Sequence, residues 1–204
     1  MEEQAIALRD LAAEIAVCPN CELAKTRTHA VPGEGNPNAD IAFIGEGPGF
    51  HEDQQARPFV GAAGKFLDEL LTSIGLRRQD VFIGNVIKCR PPGNRDPLPG
   101  EISACKPWLD RQLEIINPRV IVTLGRFSLQ RYFPGQSISR IHGQPRKLAE
   151  VTVVPMYHPA AALHQASLRR VIEQDFQKLP AILQEALQEE VPPPEPQAVQ
   201  MQLL

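Results

Sequence analysis

Short, almost wholly apolar runs alternate along the chain with longer stretches whose apolar residues recur every three or four positions. No other feature restricts the fold as much. Asp40–Gly45, Val81–Ile87, Arg119–Leu124 and Val151–Pro155 are four such runs, and their apolar interiors suit strands covered on both faces. Between the first two, Phe66, Leu67, Leu70, Leu71 and Ile74 mark a helix closed by Gly75. Further helices are expected from about Glu101 to Ile116, from Gly125 to Tyr132, and from about Ser167 to Gln188. An N-terminal helix over 2–16 is marked by Ile6, Leu8, Leu11, Ala12 and Ile15. Strands alternating with helices make βαβ units, and so an α/β fold with a parallel sheet and helices on both faces. Ligands in such sheets bind outside the carboxyl ends of the strands. The chemically unusual residues follow strand ends here: Glu46 and Gly47, then Asn85 to Asn94, then Tyr157 and His158.

The 204 residues suit one domain, expected over 1–188, and no internal repeat is present. Val191-Pro-Pro-Pro-Glu-Pro opens a polar segment, so 189–204 is expected to be a disordered, acidic, Pro-rich tail. No apolar run approaches the ~18 residues of a membrane span. The acidic start Met-Glu-Glu-Gln lacks the apolar stretch of a secretory signal, giving the expectation of a cytoplasmic protein with no membrane partner. The net charge of −3 is unevenly spread, because four glutamates and no basic residue lie beyond position 184. Basic residues cluster as Lys88, Arg90 and Arg95, as Arg140, Arg146 and Lys147, and as Arg169-Arg170. Solvated faces explain such clusters one at a time; a local basic groove for nucleic acid is the alternative.

Cys18, Cys21, Cys89 and Cys105 are the only cysteines. A CxxC pair with two distant partners in a chain expected to be cytosolic fits a four-thiolate metal site better than two disulfides. Spacing leaves zinc and iron–sulfur both open; the separated second pair leans toward a cluster. Gly45-Glu-Gly-Pro-Gly49 follows a strand, but Phe50 breaks the dinucleotide pattern and the segment passes equally for a Gly-rich turn. Asn85 interrupts an apolar strand, where its amide either satisfies nearby backbone or faces a planar ligand offering one donor and one acceptor. Phe59 is a core anchor by default, and His158, before Pro159, is either a turn residue or an active-site donor. No nucleophile elbow, P-loop or zinc-protease signature is present.

Taken in order, Gly45-Glu-Gly-Pro-Gly-Phe-His-Glu-Asp53, Arg57-Pro-Phe-Val-Gly61, Asn85-Val-Ile-Lys-Cys-Arg-Pro-Pro92 and His158-Pro-Ala-Ala161 resemble family 4 of the uracil-DNA glycosylases. The resemblance runs from about Leu11 to Leu187 and includes all four cysteines. It implies the three-layer αβα fold of that superfamily, with a central four-stranded, mainly parallel sheet. It also implies a 4Fe–4S cluster on Cys18, Cys21, Cys89 and Cys105, uracil-containing DNA as partner, and a monomer. Phe59 matches the residue on which the flipped uracil stacks, and Asn85 the one that reads N3–H and O4. Glu52 matches the position near C5, where bulk excludes thymine. His158 matches the histidine at O2, and Leu163 stands where a wedge fills the emptied stack. Gly47 stands where another glycosylase family has a water-orienting Asp. Glu46 and Asn94 are therefore the candidates to hold the water, and Lys88, Arg90 and Arg95 those to meet phosphates. The rival expectation is a non-catalytic DNA-binding protein on the same fold, carrying iron–sulfur or structural zinc.

Overall fold

The computed structural model describes residues 2–188, so the tail expected over 189–204 lies outside the described residues. Six strands form one sheet in the order β1-β3-β2-β4-β6-β5. Its centre is parallel: β3 (Phe82–Asn85), β2 (Ile41–Gly45), β4 (Val120–Leu124) and β6 (Val151–Met156). These are the four strands expected from their apolar runs. Two short antiparallel edges complete the sheet, β1 (Glu34–Gly35) beside β3 and β5 (Arg146–Leu148) beside β6. The edges escape sequence reading because two or three residues carry no alternation, and their charged side chains suit a solvent-facing rim.

Alternation along each central strand sends residues to opposite layers. Ile41, Phe43, Ile83, Val122 and Val154 pack with Phe66, Leu67, Leu70 and Leu71 of α3 (Ala62–Ser73) and with Ile172 and Phe176 of α8 (Ala166–Phe176). Ala42, Ile44, Phe82, Ile121 and Val153 pack instead with Leu11 and Ile15 of α1 (Glu2–Ala16) and Leu109 and Ile116 of α4 (Pro99–Ile116). The result is three layers, αβα. One expected helix is broken: the stretch to Gln188 is α8 followed by α9 (Leu179–Gln188). Pro180 lacks the N–H that continues a helix, and its ring would crowd the Phe176 carbonyl one turn earlier.

The sheet register builds the functional edge. Gly45 lies opposite Asn85 at the end of β2 and β3. Val86 and Ile87, expected as strand, have left the ladder, yet their N–H groups still donate to Gly45 O at 3.0 Å and Glu46 O at 3.1 Å. The loops after β2 and β3 therefore leave the sheet side by side, next to α7 (Pro159–His164) beyond β6.

Candidate active site and four-thiol centre

A cavity of about 230 Å³ opens at this carboxyl edge. Glu46, Gly47 and Glu52 line it from the first loop, Asn85 and Asn94 from the second, with Phe59 and His158 closing it. Residues separated by more than 110 positions thus converge on one space, as the strand-end rule requires.

Phe59 forms one wall with its backbone in the left-handed region, φ 53°, which costs a bulky residue energy. Arg78 holds that conformation. Its Nη1 donates to Phe59 O at 3.1 Å and Asp68 Oδ1 at 3.0 Å, its Nη2 to Pro58 O at 2.5 Å, and its Nε to Glu34 Oε1 at 2.7 Å. Gly64 is required beneath the platform, because a Cβ there would collide with the Phe59 carbonyl. Glu52 fastens the other side: Oε2 accepts from Gly49 N–H at 3.1 Å, and Oε1 accepts from Val60 and Gly61 N–H at 2.9 and 3.0 Å. A carboxylate held by three backbone donors is a rigid piece of cavity wall.

Asn85 is buried, and its Oδ1 has no hydrogen-bond partner among the described residues. An orphaned buried carbonyl is costly unless a ligand completes it. The amide can lie here because position 45 is glycine: a Cβ on Gly45 would stand 2.5 Å from Asn85 Oδ1 and 2.7 Å from Phe59 Cζ. Behind it, the expectation that Lys88 meets phosphates fails. Lys88 is only 1% exposed, and its ammonium donates to Asn85 O at 2.9 Å and Gln112 Oε1 at 2.6 Å. Burial pushes its pKa down to about 8. Lys88 props the strand end that carries Asn85 and reaches no DNA.

His158 caps α7, where its Nδ1 accepts the Ala160 N–H at 3.1 Å. That bond assigns the ring proton to Nε2, which leaves an N–H donor for the cavity. Burial pushes the imidazole pKa down to about 4, against a smaller opposing pull from Glu52, so the ring is neutral near pH 7. Its plane lies 21° from that of Phe59, with the centroids 5.4 Å apart, so the two rings stack on one another at the cavity. Glu46 is the cavity's carboxylate without a backbone or cationic hydrogen-bond partner among the described residues. Burial and the nearby Asp96 raise its pKa, while Arg126, ion-paired with Asp96, partly opposes them. Asn94, the other water candidate, already receives the Arg90 Nε–H on its Oδ1 at 2.6 Å. Its NH2 donors and the second lone pair of Oδ1 remain.

The four cysteines line a separate, much smaller space of about 10 Å³ beside Lys88. All are free thiols, and three N–H groups aim at their sulfurs. Arg27 Nη1 donates to Cys89 Sγ, Trp108 Nε1 to Cys18 Sγ and Lys88 N to Cys105 Sγ, each at 3.2 Å. Donors aimed at sulfur suit thiolates. Burial pushes the Cys105 thiol up to about 11 and raises Cys89 as well, so loss of their protons needs a bound cation. Among the described residues, no three Cys, His, Asp or Glu side chains gather tightly enough for a single metal ion. A lone zinc would draw four sulfurs to ~2.3 Å of one point.

Of the remaining basic candidates, Arg95 is offset by Glu101, with Nη1–Oε2 and Nη2–Oε1 at 2.9 and 2.7 Å. Arg90 makes its side-chain hydrogen bond among the described residues through Nε, to Asn94 Oδ1. Leu163 is 51% exposed on α7 and contributes to neither core cluster. Arg78, Gly45, Gly64 and Asp96 were missed by sequence reasoning. Gly45 alone left a signal, as the first residue of its Gly-rich segment.

The αβα sheet with its cavity at the carboxyl edge agrees with the family comparison: a family model described as Uracil DNA glycosylase superfamily matches residues 32–187. The Type-4 uracil-DNA glycosylase of Sulfurisphaera tokodaii is 50% identical over 182 residues, covering 84% of this chain and 83% of that protein. Those of Archaeoglobus fulgidus (51% over 181 residues; 84% and 91%) and Thermotoga maritima (48% over 166 residues; 79% and 86%) are similarly close. The chain belongs to the type-4 uracil-DNA glycosylases of that superfamily. No helix among the described residues is long and apolar enough to cross a membrane.

Proposed function

We propose that this protein flips uracil out of DNA and hydrolyses its N-glycosidic bond, leaving an abasic site. The observation that carries the reading is the orphaned Asn85 Oδ1, buried beside the Phe59 ring in a cavity at the sheet edge. A base within a duplex is out of reach, so the nucleotide turns outward and its ring stacks on Phe59. Asn85 Oδ1 accepts uracil N3–H, and the amide NH2 donates to O4. Cytosine presents the reverse pattern at both positions, and a fixed amide then leaves buried groups unpaired. The clamped Glu52 supplies bulk beside C5, and Leu163 enters the stack as a wedge.

Cleavage puts negative charge on the uracil and positive charge on the sugar. The neutral His158 offers its Nε2–H to O2, where it strengthens as the anion develops. Glu46 accepts a proton of the attacking water, and its negative charge favours the developing sugar cation; Asn94 orients that water through its amide. No lysine is among the described residues that line the cavity, and the nearby Lys88 is buried and doubly bonded, which supports a monofunctional enzyme without a lyase amine. Cys18, Cys21, Cys89 and Cys105 would hold a 4Fe–4S cluster, which would supply a structural cross-link between the turn after α1, the loop after β3 and α4. Residues 1–188 form the catalytic domain, which acts as a monomer in the cytoplasm.

Release of free uracil from a uracil-containing oligonucleotide by the purified chain tests this reading; no release from any strand form would end it. Gly45→Ala is expected to slow release about 10²-fold by displacing Asn85 and Phe59, with a much smaller change in melting temperature. Cys105→Ser is expected to abolish the brown visible absorbance of the cluster and to lower the melting temperature. A colourless wild-type protein with one tightly bound zinc would contradict the cluster assignment.

A further inference from the structure

Phe50 and Arg90 stand together at the rim of the cavity, and the hydrolysis described above uses neither. Phe50 follows Gly49 at the start of α2 (Phe50–Gln55), is 51% exposed, and joins neither core cluster. The Arg90 guanidinium lies over its ring, 5.1 Å from the centroid. Gly49 and Pro91, their chain neighbours, both line the cavity, as does Asn94, which receives the Arg90 Nε–H. The pair therefore borders the mouth through which a flipped nucleotide must pass.

Its charge sets it apart. Arg95 and Arg126, the other arginines around this mouth, are paired with Glu101 and Asp96. Arg90 has no carboxylate partner among the described residues, and its two terminal nitrogens carry no hydrogen bond there. An exposed aromatic ring that keeps a mobile cation parked on it, without neutralising that cation, suits a nucleotide.

We propose that Phe50 and Arg90 form a second nucleotide subsite, in which a base adjacent to the excised uracil stacks on Phe50 while Arg90 meets its phosphate. The inference rests on DNA being the substrate. Every base has a π face, so the subsite grips the strand whatever the flanking sequence. A stacked neighbour is gained most easily where the strand is already unpaired. The subsite therefore favours single-stranded uracil over paired uracil, whose neighbour must first leave its own stack.

The test uses the full chain and single-stranded oligonucleotides carrying 2-aminopurine immediately 5′ or 3′ of uracil, with uracil release followed in parallel. Fluorescence of one of the two neighbours is expected to be quenched on binding by wild type. Phe50→Ala is expected to lose that quenching and to raise KM about ten-fold, with kcat at saturation nearly unchanged. Phe50→Trp retains both properties. Arg90→Ala is expected to reduce the salt slope of binding to single strands by about 0.7. Phe50→Leu separates stacking from mere bulk: it behaves like Phe50→Ala if the ring stacks, and rescue by Leu would overturn the subsite. So would unchanged KM and fluorescence in Phe50→Ala while uracil is still released. Failure of wild type to release uracil would instead indict the proposed function itself.

Discussion

Asn85→Asp is expected to lower single-turnover excision of uracil by about 10³-fold, the largest effect of any single substitution in this account. The change preserves shape and volume, so the platform of Phe59, Gly45 and Lys88 stays in place. What changes is chemistry: an N–H donor becomes a second acceptor facing uracil O4. Two acceptors then oppose each other in a buried site, where an unmade hydrogen bond costs about 1–3 kcal/mol and a charged one more. The same carboxylate accepts from the amino group of cytosine, so weak cytosine release is expected to emerge. Side-by-side assays on uracil and cytosine oligonucleotides measure both halves of the exchange.

His158→Ala is expected to slow the same step by roughly 10²- to 10³-fold, the cost of removing one preorganised donor to a developing oxyanion. DNA affinity should change little, because the bond strengthens as charge accumulates in the transition state. The pH profile separates His158 from Glu46. With its pKa pushed down to about 4, His158 stays neutral throughout the ordinary acidic range and produces no limb near 6.5. Glu46 titrates above its usual 4.5 and is needed as the anion, so the rate should fall with decreasing pH through that raised value, before His158 protonates. Glu46→Gln should remove this limb and lower the plateau. Asp96→Asn, which takes away a neighbouring negative charge, should move the limb to lower pH. An acid limb that survives in Glu46→Gln would assign the acid dependence to another group.

The parts of this site legible in the sequence are those that short local segments encode. The apolar runs gave the four parallel strands, and strand ends with Asn85 or with His158-Pro159 placed their side chains at one edge. Cysteine spacing framed the thiol centre but left the metal open. Lys88 misleads for a physical reason: in sequence it sits beside Arg90 in a basic loop. Only the fold brings Gln112 of α4 against its ammonium and buries it. Arg78 is similarly illegible, since Glu34, Pro58, Phe59 and Asp68 meet it from four separate places in the chain. The break between α8 and α9 was written in Pro180, yet the helical spacing of apolar residues runs across it and conceals it. Arg90, read as one of three phosphate contacts, is the member of that cluster that is neither buried nor paired with a carboxylate among the described residues.

Single-turnover uracil release, measured at saturating protein for wild type, Asn85→Asp and His158→Ala on one uracil-containing oligonucleotide, tests the central claim most directly. The account predicts rapid release by wild type, rates lower by about 10³-fold and 10²- to 10³-fold in the two variants, and unchanged melting temperatures. Wild-type rates in both variants, with all three proteins folded, would show that uracil is cleaved somewhere other than this cavity.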